Sequence, residues 1–242
     1  MKDDEIKIHT RKYYSLLFKK DYRCHLNVSQ GKRLALELGY PSDLIDRIPI
    51  ESWYAFFPCG NPLSYLKPLA GDSILNIGCG IGIDSIALNR EYTSSVQIYN
   101  LDVIDHILLK SKKLISHLVE DIKTMHWICA DADTLPFQSS SFNWIMMNGA
   151  FNLIPAKNKL LSEIYRIMKP YGKLLVADLS CRERLEEYFS QEPDAWAWCM
   201  SGAYTEEDLI PLLQSSGFSS IKITRTELDR TFNRIIFLCQ KT

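Results

Sequence analysis

From residue 73 onward, short apolar runs alternate with longer stretches in which apolar and polar positions mix. Runs too short for helices and rich in Ile, Leu and Val read as buried strands; the mixed stretches read as helices. The strands expected are Ser73–Ile77, Val96–Leu101, His126–Ala130, Phe142–Met147 and Lys173–Asp178. Between them, helices open at Ile83 and span Ile104–Leu118 and Ala156–Met168, the last stopped by Lys169-Pro170-Tyr171-Gly172. Another helix, Thr205–Ser216, begins at Thr205-x-x-Asp208, a capping-box-like start with Asp in place of Glu or Gln. Ser219–Glu227 and Asn233–Gln240 close the chain as strands, and Asp229-Arg230 between them suits a β-hairpin. The alternation predicts an α/β fold: a Rossmann-like, doubly wound sheet of seven strands, mostly parallel, with an antiparallel C-terminal hairpin.

The first 70 residues follow a different rhythm. Residues 5–40 read as mostly helical, with Tyr13, Tyr14, Leu16, Leu17 and Phe18 on an apolar face. Asp21-Tyr22-Arg23-Cys24-His25 breaks the pattern before a second short helix, Gln30–Leu38, and a third over Pro41–Ile50. Trp53–Pro68 is aromatic and irregular, with the turn cluster Pro58-Cys59-Gly60-Asn61-Pro62 at its centre. No flexible linker divides this segment from the sheet. Residues 1–70 are therefore expected to form a helical cap with a substrate loop, on a ligand-binding domain of residues 71–242.

Composition narrows the class. A chain of 242 residues buries roughly 70–75% of the surface its unfolded form exposes, so no disulfide or metal staple is needed. A formal net charge of −1, with acid and base evenly mixed, argues against nucleic acid as a partner. With the polar start MKDDEIKIHT no signal peptide is expected, and no apolar run approaches the ~18 residues of a membrane span. The seven cysteines include no C-x-x-C pair, which excludes an ordinary zinc finger or ribbon; no resident metal is expected. Free thiols and a cytoplasmic location are the expectation. Cys79, Cys129 and Cys239 lie in apolar or strand-like stretches and are expected to be buried and inert. Cys24, Cys59 and Cys199 lie in loop-like ones.

The candidate chemistry begins where the first strand meets the first helix of the sheet, at Gly78-Cys79-Gly80-Ile81-Gly82. Glycines there let the backbone turn sharply and let a ligand approach the main chain, beside the free N–H groups of a helix start. The dinucleotide fingerprint is G-x-G-x-x-G; this tighter G-x-G-x-G resembles motif I of the class I S-adenosylmethionine (SAM) methyltransferases. Asp102 ends the second strand, 20 residues after Gly82, where a carboxylate can accept both hydroxyls of a ribose. Asp131-Ala132-Asp133-Thr134-Leu135-Pro136-Phe137 resembles the family's D-A-x-x-L-P-F, whose Asp meets the adenine amino group. Phe142-Asn143-Trp144-Ile145 resembles S-F-D-x-V, and Glu163-Ile164-x-Arg166 through Gly172-Lys173-Leu174 resembles E-x-x-R-V-L-K-P-G-G-x-L. The resemblance covers about residues 55–240. It implies SAM as cofactor and a site built from Asn76, Gly78, Gly80, Gly82, Asp84, Asp102, Val103, Asp131, Ala132 and Asn148. Asn76 stands where the family usually has an acid, so it can accept a hydrogen bond but brings no charge.

Within the family, Phe57-Pro58-Cys59-Gly60-Asn61-Pro62 resembles the Y-G-C-G-N-P of arsenite methyltransferases. Trp198-Cys199-Met200-Ser201-Gly202-Ala203 resembles their C-x-x-G-A, and Tyr13-Tyr14…Cys24 their Y-Y…C. This branch implies trivalent arsenic, or another soft acceptor, held by Cys59 and Cys199 as a metalloid pair with Cys24 as a third. The branch also has a cysteine just after the fourth strand, where this chain has Gly149. Two other readings therefore stay open. One is a methyltransferase for an organic small molecule of the ubiquinone/menaquinone type, for which His25 is the best available base. The other is a non-catalytic protein that binds SAM or a metalloid.

Overall fold

Four helices lead the chain, α1 (Asp3–Lys19), α2 (Gly31–Glu37), α3 (Ser42–Arg47) and α4 (Ile50–Trp53), in a computed structural model that describes residues 2–19, 31–119 and 121–242. Pro41 and Pro49 sit directly before α3 and α4, where a missing N–H costs nothing because the first helical turn has no acceptor for it. Cys24 and His25 lie outside the described residues.

The remainder is the expected α/β alternation. It runs β1 (Ser73–Ile77), α5 (Ile83–Tyr92), β2 (Gln97–Asp102), α6 (Asp105–Leu118), β3 (Met125–Cys129), β4 (Phe142–Asn148), α7 (Lys157–Ile167) and β5 (Met168–Cys181). Then come α8 (Pro193–Ala197), α9 (Glu206–Ser215), β6 (Phe218–Glu227) and β7 (Phe232–Lys241). The strands form one seven-stranded sheet in the order β3-β2-β1-β4-β5-β7-β6. All pairings through β5 are parallel, and β7 is antiparallel to both β5 and β6. The hairpin turn is tied by Asp229, whose Oδ1 accepts from the N–H groups of Thr231 and Phe232. At α9, Thr205 accepts from the Asp208 N–H as the capping pattern predicts.

Strand alternation feeds two cores. Ile74 packs into the apolar cluster on one face of the sheet and Leu75 and Ile77 into that on the other, as a period of two requires. The first cluster also takes in Leu44 and Trp53 from the leading helices and Tyr40 and Ile48 from the turns between them, with Ile83, Ile86 and Leu88 of α5. Every residue from Ile83 to Asn89 is buried and only the last turn of α5 reaches solvent, so the helix has no continuous polar face.

Two motifs behind the family resemblance form one clamp. Arg166 pairs with Glu163 and donates to the carbonyls of Leu135 and Phe137, while Glu163 accepts from the Leu135 N–H. Asn143 similarly accepts from the Ser73 N–H and from Lys169. These residues hold loops against the sheet.

Two expectations differ from what folds. β5 begins at Met168 rather than Lys173, because Met168 pairs with Phe142 and the register then shifts before Trp144 pairs with Lys173. A bulge keeps the strand going through Lys169–Gly172, which by residue type alone is a turn. Cys79 and Cys239 are buried as expected, but Cys129 is exposed; β3 is the outermost strand of the sheet, and its end faces solvent.

Candidate functional site

A cavity opens beyond the carboxyl ends of β1, β2 and β4. Strand order reverses between β1 and β4 there, so the helices that follow them leave on opposite faces and a crevice remains. Gly78, Gly80, Asp84, Asp102, Val103, Asp131, Ala132 and Asn148 all line it. Asn76 and Gly82 do not. Asn76 is buried behind the turn, donating to Ser85 Oγ at 3.0 Å, and Gly82 starts α5 at φ 87°. From above, Lys7, Arg11 and Tyr14 of α1 close the cavity.

The glycine turn is shaped by close approach. Gly78 has φ 70°, and a Cβ on it would stand 2.5 Å from that of Ala150. Gly80 has φ 52°, and a Cβ there would meet nothing within 4 Å: it borders open space. Asp102 fastens the turn to β2, its two carboxylate oxygens accepting from the N–H groups of Gly80 and Ile104, each at 3.0 Å. Burial pushes its pKa up, against the pull of those donors. Each oxygen keeps a lone pair for a ligand hydroxyl. Asp131 is held by Arg11 at 3.4 Å and by Lys7 at 3.6 Å, and Lys7 also bonds Asp133. Both basic side chains over the cavity are thus engaged by carboxylates at the Asp131 end. A carboxylate for a diol, a bare backbone cradle and, among the described residues, no cation lining the glycine turn suit a nucleoside without phosphates. The residues fit SAM.

Asp84 is a buried carboxyl held by two donors. Tyr40 OH donates to its Oδ1 at 2.6 Å and Asn148 Nδ2 to its Oδ2 at 3.0 Å. Burial nevertheless raises its pKa from 3.8 to about 6, outweighing both donors. A carboxyl whose pKa is higher folded than unfolded stabilises the fold when protonated. That contribution is complete below pH ~4 and is lost as pH rises through 6. At ~1.4 kcal/mol per unit, the loss is about 3 kcal/mol. Asp84→Asn is therefore expected to unfold at higher denaturant than the parent at pH 7.5, by up to ~2 kcal/mol, with the difference vanishing near pH 4. Paired urea titrations at the two pH values measure it.

Asn148 links this network to the first candidate thiol. Its Oδ1 accepts from the N–H groups of Cys59 and Gly60 at 2.9 and 3.3 Å, and its Nδ2 donates to the Gly60 carbonyl at 3.0 Å. The Pro58–Pro62 turn is thereby pinned to the end of β4. Cys199 approaches from the loop after α8 in a left-handed conformation, φ 61°, which costs a non-glycine residue of order 1 kcal/mol and gathers at functional sites. Asn152 supports it, donating from Nδ2 to the Cys199 carbonyl at 3.0 Å and from its N–H to Asp178 Oδ2 at 3.0 Å.

The fold brings Cys59 and Cys199 together across 140 residues of chain and adds Asp178 from β5. The two sulfurs and a carboxylate oxygen of Asp178 all lie within 4.8 Å of one another, with Cys59 Sγ at 3.7 Å from Asp178 Oδ1. The single proton of Cys199 Sγ has two acceptors within reach, the Gly149 carbonyl at 3.4 Å and Cys59 Sγ. Both thiols are held protonated. A thiol hydrogen bond from Cys199 favours the Cys59 thiolate, but burial and the Asp178 charge outweigh it. The same bond, then burial and Asp178, drives Cys199 higher still. Asp178 was not singled out; the strand expected from sequence, Lys173–Asp178, ends on it, but β5 runs on to Cys181 and Asp178 pairs with Ile235 inside it. Tyr40, in a loop with no motif around it, had no signal.

Neither thiol lines the cavity directly. Gly149, which does, forms the wall between: a Cβ on it would lie 3.4 Å from Cys59 Sγ and 2.8 Å from the Phe57 carbonyl oxygen. The position that bears a thiol in the arsenite branch is here crowded by backbone.

Residues 69–217 match the family described as methyltransferase domain. Among curated proteins, the chain is 24% identical over 165 residues to an arsenite methyltransferase of Halobacterium salinarum, covering 68% of this chain and 42% of that protein. It is 22% identical over 240 residues to that of Mus musculus, covering 96% of this chain and 62% of the other. The chain thus spans about half the length of these relatives. The crystal structure of an arsenic(III) SAM methyltransferase from Chlamydomonas reinhardtii superposes with a TM-score of 0.66 at 21% identity, over 87% of this chain and 73% of that one.

Proposed function

The chain belongs to the methyltransferase-domain family, and on that premise we propose that it methylates trivalent arsenic, or another soft acceptor, bound to Cys59 and Cys199. SAM is the methyl donor. The observation that carries the reading is the meeting of these two thiols beside the cofactor cavity, from turns that both resemble the arsenite branch. No helix among the described residues is long and apolar enough to cross a membrane.

Residues 71–242 hold the cofactor, and residues 1–70 supply the cap and the turn that bears Cys59. Asp102 takes the ribose hydroxyls, Asp131 and Ala132 meet the adenine, and the Gly78–Gly80 backbone meets the methionyl tail. Asp84 supplies the buried acid near that tail, which Asn76 does not. When bound, SAM presents a methyl carbon on a positively charged sulfur, open to displacement by a lone pair. Protonated thiols suit the capture of arsenite: each As–S bond forms as an As–OH bond breaks, and the thiol proton leaves with the hydroxide as water. Arsenic then carries its own lone pair, so no side chain has to serve as base. Cys59 and Cys199 orient that pair, and the closed aromatic wall of Tyr14 and Phe57 excludes water.

Methyl transfer from labelled SAM to arsenite and to monomethylarsenite, with glutathione present, tests the proposal. Transfer to either supports it. Transfer to neither, with SAM bound, removes arsenic as the acceptor and leaves an organic one or a binding protein. For the cofactor half, Asp102→Ala removes a charged acceptor worth ~1.5–3 kcal/mol, so SAM is expected to bind at least tenfold more weakly by calorimetry.

A further inference from the structure

Asp178 gives the thiol pair a third ligand of a different kind. We propose that Cys59, Asp178 and Cys199 form a binding site for a borderline divalent cation, zinc above all, whether or not the chain methylates arsenic. Arsenic is strongly thiophilic and gains little from a carboxylate, whereas zinc accepts both thiolate and carboxylate ligands. Tetrahedral zinc with bonds of ~2.3 Å to sulfur and ~2.0–2.2 Å to oxygen sets its ligand atoms about 3.5–3.8 Å apart. Cys59 Sγ and Asp178 Oδ1 are already at 3.7 Å, and all three ligand atoms fall within 4.8 Å of one another.

The surroundings have the features of a supported metal site. The Asp178 carboxylate is oriented by two backbone donors, the N–H groups of Leu179 at 2.8 Å and Asn152 at 3.0 Å, leaving a lone pair on each oxygen. The same Asn152 holds the Cys199 carbonyl. Two cations attract the cluster: Arg234 acts on Cys59 and the buried Lys157 on Asp178. Lys157 is only 4% exposed, bonds the Ile154 carbonyl and sits over the rings of Phe151, Trp196 and Tyr204. The proposed chemistry of methyl transfer has no use for its charge, which offsets a cluster of one carboxylate and two thiolates. On binding, each thiol releases its proton and the cation takes three protein ligands, with the fourth position left to water.

The test uses the full chain, kept reduced, without SAM or arsenical, so its result is independent of the proposed methyl transfer. Cadmium chloride is titrated while thiolate-to-cadmium absorption is followed, and zinc affinity is read by competition with a chromophoric chelator. One equivalent of each ion is expected. Cys59→Ser and Cys199→Ser are each expected to weaken zinc binding at least a hundredfold, and Asp178→Asn at least tenfold, while Cys129→Ser changes nothing. No binding by the parent, or equal binding by either serine variant, overturns the site; equal binding by a folded Asp178→Asn overturns the three-ligand set. If Asp178→Asn does not fold, cobalt(II) absorption of the parent decides instead: a tetrahedral spectrum with two thiolates upholds the site, and an octahedral one overturns it.

Discussion

Serine in place of Cys199 is expected to lower methyl transfer to arsenite by at least ~100-fold while SAM binds as before. The change exchanges one atom. Serine keeps the size, the left-handed backbone at φ 61° and a donor for the Gly149 carbonyl, but its hydroxyl has no affinity for arsenic beyond that of water. Arsenic would then hang from Cys59 alone, free to rotate. Losing a fixed approach to the methyl carbon costs on the order of 10²-fold even for small displacements. An organic acceptor that never touches sulfur would pass through this variant nearly unaffected. Initial rates with labelled SAM, beside a SAM-binding isotherm, separate the two outcomes. An unchanged rate on arsenite would sink the thiol-held acceptor.

The second large effect is structural. Gly202→Ala is expected to destabilise the chain by about 3 kcal/mol, at the upper end of overpacking costs, and to lower Tm by ~6–12 °C. A Cβ on Gly202 would overlap the Asn152 carbonyl, 2.8 Å from its carbon and 2.9 Å from the Trp196 ring. Neither neighbour can yield. Asn152 is tied to Leu179, Cys199 and Asp178, and Trp196 is buried against Lys157. Any accommodation must shift the loop that carries Cys199, so what activity survives should fall as well. Thermal melts and rates on the same preparation read both.

The site was legible where local chemistry announces itself. Three glycines between a strand and a helix, Asp102 and Asp131 at strand ends, and cysteines in turn-like contexts are each visible in a few consecutive residues. Asp178 and Lys157 were not. An Asp after an apolar run has many possible uses, and only the meeting of β5 with the turns at Cys59 and Cys199 gives this one two sulfur neighbours. Asn148 was expected among the cofactor-binding residues, and it lines the cavity. That it also pins the Cys59 turn and shares Asp84 with Tyr40 depends on residues 40, 60, 84 and 148 converging.

Gly149 shows the same division. Its lack of a thiol is a fact of sequence. That the backbone there passes under Phe57, so that a side chain has no room to return, follows only from how the cap docks on the sheet. The succession of strands and helices along the chain and the glycine turn after the first strand were determined by the linear pattern, because hydrophobic periodicity and glycine conformation act over a few residues. The composition of the thiol cluster, the raised pKa of Asp84 and the buried charge of Lys157 were decided by tertiary packing. They depend on desolvation and on charges brought together from distant parts of the chain.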